Sequence, residues 1–277
     1  KGAITAPQGF VLIDADSSQI EARTVAWLSG QEDLIHAFEA KEDVYKIMAS
    51  AIYGKEAEQI LDSERFVGKT TILGAGYGMG SSKFALQLKT FKVEIEESEA
   101  RRIIDVYRAT YPFIPRLWKQ ANNALEALRT KQTAPVGCQP QAVTLNTKGF
   151  LLPSGLYLNY RDLQKDQDEQ YSYVNRNGRI KIYGGKVVEN LCQAIARCII
   201  GEQMLRIAKR YRVALTVHDA VMCVVPEKEA KEALLYVNEC MRWRPSWAQT
   251  LPLACELGMG LSYDDCAKKK PIEKWEV

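Results

Sequence analysis

An apolar segment that ends in two carboxylates constrains the fold of this chain more than any other feature. Residues 9–23 have the sequence GFVLIDADSSQIEAR, which begins with the pattern of a buried strand and continues with that of a helix. Because side chains alternate along a strand, Leu12, Asp14 and Asp16 share one face, with the two acids about 7 Å apart. A carboxylate at the end of an apolar strand needs a positive partner, and a hard metal ion is the usual one.

Composition narrows the chemistry that the chain can perform. A length of 277 residues and a hydrophobic content of 47% are enough for a substantial core. The chain has only two histidines, His36 and His218, which makes a zinc site or a Ser/His triad hard to build. Metal chemistry would therefore rest on carboxylates, which favours Mg²⁺. The net charge of +3 permits nucleic-acid binding without requiring it.

The sequence also predicts the environment of the protein. No run of about 18 apolar residues and no signal-peptide pattern is present. The seven cysteines show no CxxC spacing, and most lie in apolar runs. We therefore expect a cytoplasmic protein with reduced thiols and no membrane partner.

Strand patterns towards both ends of the chain enclose a helical middle. Helical patterns cover 18–28, 31–63, 64–77 and 93–131, with the last divided at Pro112 and Pro115. Strand patterns cover 150–160 and 171–183, with an acidic loop at 162–170 between them. A helix over 187–211, a hairpin, a helix over 227–242, a short strand near 253–257 and a lysine-rich tail follow. We expect one mixed-sheet domain with a helical insertion at roughly 40–150.

A second carboxylate is predicted at the tip of a hairpin. The sequence of residues 213–226, VALTVHDAVMCVVP, indicates two apolar strands joined by a tight turn at His218 and Asp219. Asp16 and Asp219 together could clamp two divalent ions, an arrangement common in phosphoryl-transfer enzymes. Each acid alone could instead begin a turn or cap a helix.

A further group of candidates recurs at steps of four along the helix predicted over 64–77. Arg65, Lys69, Leu73 and Tyr77 share one helix face. Two cations followed by an apolar and an aromatic side chain suit a nucleoside triphosphate. A solvated basic edge beside core residues explains the same spacing, and the spacing alone favours it. Ser18 and Glu21 likewise fit a capping box, which is a structural role.

Taken together, these motifs resemble those of family A DNA polymerases. Asp16-Ser-Ser-Gln-Ile-Glu21-Ala-Arg23 resembles the first family signature. Arg65-x3-Lys69-x3-Leu73-x3-Tyr77-Gly78 resembles the second, and Val217-His218-Asp219 the third, in the family's order. Residues 184–190 and 251–256 are more similar to the bacteriophage branch than to the bacterial repair enzymes. The resemblance covers essentially the whole chain.

The resemblance implies a mixed α+β fold and a division into functional regions. A right-hand polymerase palm with an antiparallel sheet would comprise residues 1–42 and 151–277, and a helical fingers insertion would comprise 43–150. We expect the thumb and exonuclease regions of such an enzyme to come from upstream sequence or from a partner chain. The cytoplasm of a bacterial or phage-infected cell would be its place of action.

The resemblance also implies an activity and a set of roles. The activity is DNA-directed DNA polymerisation on primer-template DNA with dNTP substrates. Asp16, Asp219 and the Ser17 carbonyl group would hold two Mg²⁺ ions. Glu21 would exclude a ribose 2′-hydroxyl. Arg65 and Lys69 would bind phosphates, and Leu73 would contact the base or the sugar. Tyr77 would lie on the template side, and Ser17 and Gln19 would make further contacts with the nucleotide. Gly78, Gln193 and His218 would contact DNA.

Three positions depart from the family pattern. Ala220 replaces a glutamate, Leu73 replaces an aromatic residue, and Ser17 replaces a tyrosine that is common in the family. Ala220 leaves more of the metal binding to Asp16 and Asp219, with Asp14 as an outer-shell acid. A catalytically weakened DNA-binding remnant and a single-subunit RNA polymerase stay open as alternatives, although Glu21 argues against the second.

Overall fold

The structure is a computed structural model that describes residues 2–275. Those residues separate into two compact units. We call residues 2–20 and 196–275 the sheet unit, and residues 21–195 the helical unit. The predicted palm and fingers boundaries after residues 42 and 150 describe functional regions rather than compact units, and they stay a prediction.

Within residues 2–275, the chain begins with one strand, continues with seven α-helices and then six short strands, and ends with two α-helices and three strands. The strands are β1 (Phe10–Ser17), β2 (Thr144–Asn146), β3 (Gly149–Leu151), β4 (Tyr157–Leu158), β5 (Gln164–Lys165), β6 (Tyr171–Asn175), β7 (Gly178–Ile182), β8 (Arg212–Val217), β9 (Ala220–Pro226) and β10 (Cys255–Gly260). The helices are α1 (Ile20–Ser29), α2 (Glu32–Glu39), α3 (Val44–Tyr53), α4 (Asp62–Ala75), α5 (Ser81–Thr90), α6 (Glu97–Thr110), α7 (Phe113–Arg129), α8 (Gly184–Ile207) and α9 (Ala230–Arg242).

The sheet unit is built on a four-stranded antiparallel sheet with the strand order β10-β1-β9-β8. Alternation along β1 divides its side chains between two faces. Val11, Ile13 and Ala15 pack into a core that includes residues of α9. Leu12, on the other face, packs against Tyr263 and Cys266 of the C-terminal segment. By the same alternation Asp14 and Asp16 lie on the Leu12 face, as the sequence predicts.

The helical unit contains α1 to α7 and two small antiparallel sheets, β2-β3-β4 and β5-β6-β7. The backbones of α3 and α4 approach closely at Gly68. A Cβ atom there would lie 2.2 Å from the carbonyl oxygen of Tyr45 and 3.0 Å from the amide nitrogen of Ala49. Glycine at this position therefore sets how close the two helices can pack.

Several helices differ from the sequence expectation for identifiable reasons. The helix expected from Ser18 begins at Ile20, because Gln19 adopts a left-handed backbone with φ of 53°. The pattern over 31–63 divides into α2 and α3, where Asp43 caps α3 by accepting from the amides of Tyr45 and Lys46. Pro115 does not break α7, because it lies in the first turn, where amide hydrogens have no partner within the helix.

Other expectations were incomplete or displaced. The expected acidic loop at 162–170 contains β5, which pairs with β6. Helix α5 follows the glycine-rich segment and was not predicted. The long helix covers 184–207 rather than 187–211. Helix α9 begins at Ala230 rather than at residue 227, and the last strand covers 255–260 rather than 253–257. The hairpins at 171–183 and 213–226 are confirmed, with Asn175 paired to Gly178 and Val217 paired to Ala220.

Two features bear on the expected environment. All seven cysteines are free thiols, and five of them are buried. Within residues 2–275, no helix has both the length and the apolar character needed to cross a membrane.

Substitution of Gly68 by alanine tests the packing of α3 on α4. We expect Gly68→Ala to lower the free energy of unfolding by about 1–3 kcal/mol, because the new methyl group overlaps the Tyr45 carbonyl. Urea unfolding followed by circular dichroism measures the change. Gly201→Ala is the matched control, since this helical glycine has no atom within 4 Å of a built Cβ. A midpoint for Gly68→Ala equal to or above that of the unaltered chain would contradict the close approach.

Candidate active site

The register of the sheet brings Asp16 close to the turn that contains Asp219. Asp16 on β1 pairs directly with Ala220 on β9, the residue that follows Asp219. The Ser17 amide also donates to the carbonyl oxygen of Asp219 at 3.3 Å. The end of β1 and the β8–β9 turn therefore form one continuous edge of the sheet unit.

A two-residue turn places Asp219 at this edge. His218 is exposed and has a φ of 56°, a left-handed backbone that histidine adopts more readily than most side chains. Asp219, beside it, is half-buried. The tight turn keeps Asp219 adjacent to the first residue of β9.

The donor atoms at this edge suit a hard cation. The Asp16 carboxylate is accessible on the Leu12 face. The Ser17 hydroxyl is buried without a hydrogen-bond partner, but by strand alternation it lies on the opposite face, so only the backbone carbonyl of Ser17 is a candidate ligand. Ala220 contributes a buried methyl group directly opposite Asp16. Within the described part of the chain, no three His, Cys, Asp or Glu residues are grouped to hold a metal ion. Mg²⁺ commonly uses only one or two carboxylates and takes its other ligands from water and substrate phosphates, so the residues present fit it.

A lysine that was absent from the sequence-based candidates lies beside these acids. The Lys269 ammonium nitrogen is 2.9 Å from Oδ2 of Asp14 and 3.7 Å from Oδ2 of Asp16. Burial lowers the pKa of Lys269, but the hydrogen bond to Asp14 and the charges of Asp16 and Asp14 outweigh it and raise that pKa. Glu256 on β10 is exposed and pairs directly with Asp16 on the other side of β1.

In the helical unit, the residues spaced by four lie along α4 and the turn after it. Arg65 is half-buried, while Lys69 and Leu73 are exposed. Tyr77 is half-buried and lies beyond the end of α4, where its amide donates to the Gly74 carbonyl at 3.3 Å. The face is therefore accessible along most of its length.

Two residues of the α3 N-terminus orient the cations of this face. The Arg65 Nε donates to Oδ2 of Asp43 at 2.6 Å. The Arg65 guanidinium carbon and the Lys69 ammonium nitrogen are 5.3 and 5.9 Å from the centre of the Tyr45 ring. Sequence reasoning missed Asp43 and Tyr45 as partners, although an aspartate before an apolar helical pattern is a recognisable N-cap signal.

Glu21 lies at the other end of this face and is held by two hydrogen bonds. The Tyr77 hydroxyl donates to Glu21 Oε2 at 3.4 Å, and Gln193 Nε2 donates to Glu21 Oε1 at 3.3 Å. Burial, with the nearby Cys192 thiol and Glu21 carboxylate, raises the pKa of Tyr77 well above its ordinary value, so its hydroxyl stays a donor. Because α1 begins at Ile20, Glu21 is its second residue rather than the third that a capping box requires.

The turn that carries Tyr77 is fixed by close backbone contacts. Gly78 has a φ of 77°, and a Cβ atom on Gly185 would lie 2.3 Å from the Tyr77 carbonyl oxygen. The indole nitrogen of Trp118 donates to the Gly76 carbonyl at 2.9 Å. The start of α8 and the middle of α7 therefore define the position of Tyr77.

Comparison with known proteins shows which family this chain is similar to. The sequence profile of DNA polymerase family A matches residues 1–139. The DNA polymerase of Bacillus phage SP02 is 30% identical over 258 residues, which cover 87% of this chain and 39% of that protein. DNA polymerase I of Pseudomonas aeruginosa is 28% identical over 273 residues, which cover 95% of this chain and 26% of that protein.

A solved structure supports the same fold. The POL domain of Pol1 from M. smegmatis, in complex with DNA primer-template and dNTP, superposes with a TM-score of 0.66 at 22% identity. The match covers 96% of this chain and 42% of the solved chain. The expected mixed α+β fold of a polymerase domain is confirmed. The chain spans less than half the length of each of these proteins.

Proposed function

Because this chain belongs to DNA polymerase family A, we propose that it is the catalytic region of a DNA-directed DNA polymerase. The reaction is the transfer of a deoxynucleotide from a dNTP to a primer 3′-hydroxyl on a DNA template. The β1–β9 register carries this proposal, because it sets Asp16 beside the turn that contains Asp219. Paired carboxylates at such an edge suit phosphoryl transfer with two bound cations.

In the sheet unit, Asp16 and Asp219 would hold two Mg²⁺ ions, with the Ser17 carbonyl as a further ligand. Such ions activate the attacking hydroxyl and stabilise charge on the transferred phosphoryl group and on pyrophosphate when they are bound. Asp16 and Asp219 supply the negative charge that attracts the cations. Ala220 adds no charge opposite Asp16 on β9, whereas the exposed Glu256 lies opposite Asp16 on β10 and would add negative charge to that of these two acids.

In the helical unit, the α4 face would bind the incoming nucleotide. Arg65 and Lys69 present positive charge to the triphosphate, and Leu73 presents an apolar surface to the base or sugar. Asp43 uses only the Nε hydrogen of Arg65, and the guanidinium has four further N–H groups for phosphate oxygens. Ser17 and Gln19, which belong to the sheet unit, are further proposed nucleotide contacts.

Glu21 would select the sugar of the nucleotide. Its carboxylate accepts hydrogen bonds from Tyr77 and Gln193, which orient it as one wall of the proposed sugar site. An additional 2′-hydroxyl would meet this wall, so the contact would favour a deoxyribose. We assign template or duplex contact to Tyr77, Gly78, Gln193 and His218.

The partners follow from the proposed reaction. They are primer-template DNA and dNTPs. The named relatives come from bacteria and a phage, which supports action in the cytoplasm of a bacterial or phage-infected cell.

Removal of either carboxylate tests the reaction. We expect Asp16→Ala and Asp219→Ala to lower Mg²⁺-dependent primer extension by at least about 100-fold, because each acid helps to stabilise transition-state charge. Extension of a labelled primer at a series of Mg²⁺ concentrations measures the effect. Asp168→Ala, at an exposed loop position, is the control and should retain activity. Near-normal extension by either site variant would contradict the assignment. An unaltered chain that bound primer-template yet extended nothing would favour a DNA-binding remnant.

Sugar selection tests Glu21. We expect Glu21→Ala to reduce the preference for dNTPs over rNTPs by about tenfold or more, because the wall against the 2′-hydroxyl is removed. Tyr77→Phe keeps the ring and removes one hydrogen bond to Glu21, so its effect should be smaller. Competition of the two nucleotide types on one template measures both variants. An unchanged preference in Glu21→Ala would show that Glu21 serves only the structure.

A further inference from the structure

The C-terminal segment lies across the face of β1 that carries the acids. Gly258 on β10 pairs directly with Asp14, and a Cβ atom on Gly258 would lie 1.9 Å from the carbonyl oxygen of Cys266. Lys270 and Leu257 exchange two backbone hydrogen bonds, of 3.0 and 2.9 Å. These contacts anchor residues on both sides of Lys269 to β10. The position of Lys269 beside β1 is therefore set by backbone pairing rather than by a free tail.

The ammonium group of Lys269 lies near the carboxylates of two acids and contacts one of them more closely. It is within hydrogen-bonding distance of Asp14 at 2.9 Å, whereas 3.7 Å separates it from Asp16. The Asp14 side chain is only 3% exposed, while Asp16 is 39% exposed and Lys269 is 18% exposed. The buried acid thus makes the hydrogen-bonded contact with the ammonium group, and the accessible acid is the more distant partner in the same ion-pair cluster.

We propose that Asp14 is a positioning residue that holds the Lys269 ammonium away from Asp16 and keeps the Asp16 carboxylate available for a divalent cation. This inference rests on the proposed function, because it concerns the metal ligand assigned there. An ammonium that contacted Asp16 directly would occupy the oxygen atoms that a cation needs. Asp14 therefore acts through Lys269 and does not itself bind the metal.

Stability alone does not account for the Asp14–Lys269 pair. A buried ion pair often contributes no more to folding than well-packed apolar side chains of similar volume, because both charges lose their hydration. The adjacent position on the same face, Leu12, packs against Tyr263 and Cys266 without any charge. The face can therefore be closed by apolar contacts. The distinguishing property of the pair is its position beside Asp16.

Binding of Mn²⁺ to the chain without DNA or nucleotide tests the proposal. Free Mn²⁺ is measured by electron paramagnetic resonance during titration of the full chain. We expect Asp14→Asn to weaken Mn²⁺ binding by about tenfold, because Lys269 then turns to Asp16. The cation must break that charged hydrogen bond before it can bind. Adding Lys269→Met to Asp14→Asn should restore binding to within about twofold of the unaltered chain, because the competing cation is then gone.

A neighbouring lysine provides the matched control. Lys268 is exposed, and Lys268→Met in the Asp14→Asn background should not restore Mn²⁺ binding. Unchanged affinity in Asp14→Asn would overturn the proposal. Weak binding by the Asp14→Asn/Lys269→Met variant would also overturn it, because Asp14 would then act on the metal site without Lys269. The double variant has no unpaired buried charge, so it tests the proposal even if Asp14→Asn alone does not fold.

Asp16→Asn separates this inference from the proposed function. Mn²⁺ binding by the unaltered chain that is lost in Asp16→Asn supports the metal-ligand role of Asp16. If that loss occurs while Asp14→Asn binds normally, only the inference about Lys269 fails. If Asp16→Asn binds Mn²⁺ as well as the unaltered chain does, the metal assignment fails and this inference fails with it.

Discussion

The position of β1 between β9 and β10 is the constraint on which the candidate active site depends. Val11, Ile13 and Ala15 are buried in one core, and Leu12 is buried in another on the opposite face. A slip of one residue would exchange the two faces and move Asp14 and Asp16 into the apolar core beneath α9. Burial on both faces therefore fixes the register, and the register sets Asp16 opposite Ala220.

In the helical unit, glycine residues allow the backbones of neighbouring helices and turns to come into close contact. Gly68 lets α4 approach the backbone of α3, and Gly185 lets α8 approach the carbonyl of Tyr77. These contacts place charged and aromatic side chains at defined points along α4. Asp43 combines two tasks, since it caps α3 and pairs with Arg65. A side chain with both tasks links the orientation of Arg65 to the stability of α3.

Local patterns were sufficient to predict the elements that carry the motifs. The strand before Asp16, the turn at His218 and Asp219, and the α4 face all follow from short-range alternation, turn chemistry and helical spacing. Pro115 misled the prediction, because its effect depends on its place within the helix rather than on its presence. Helix α5 follows a glycine-rich segment. Because glycines are typical of turns, this segment gave no indication of where the next helix begins.

The partners of the site residues could not be predicted from the sequence, because they depend on contacts between distant segments. Nothing local distinguishes Lys269 from Lys268, and the bridge between Leu257 and Lys270 decides which lysine faces β1. The contact of Gln193 with Glu21 similarly joins residues 172 positions apart. Contacts between segments distant in sequence therefore determine the partners of the site residues, which the motifs alone do not predict.

The proposed reaction requires Asp16 and Asp219 to bind divalent cations at the edge of the sheet. A crystal of the chain soaked in Mn²⁺ and measured at the manganese absorption edge would locate such cations. We expect anomalous density in contact with carboxylate oxygens of both Asp16 and Asp219. Bound Mn²⁺ that contacts neither residue, or an Asp16 carboxylate paired directly with Lys269 in the presence of Mn²⁺, would contradict this requirement.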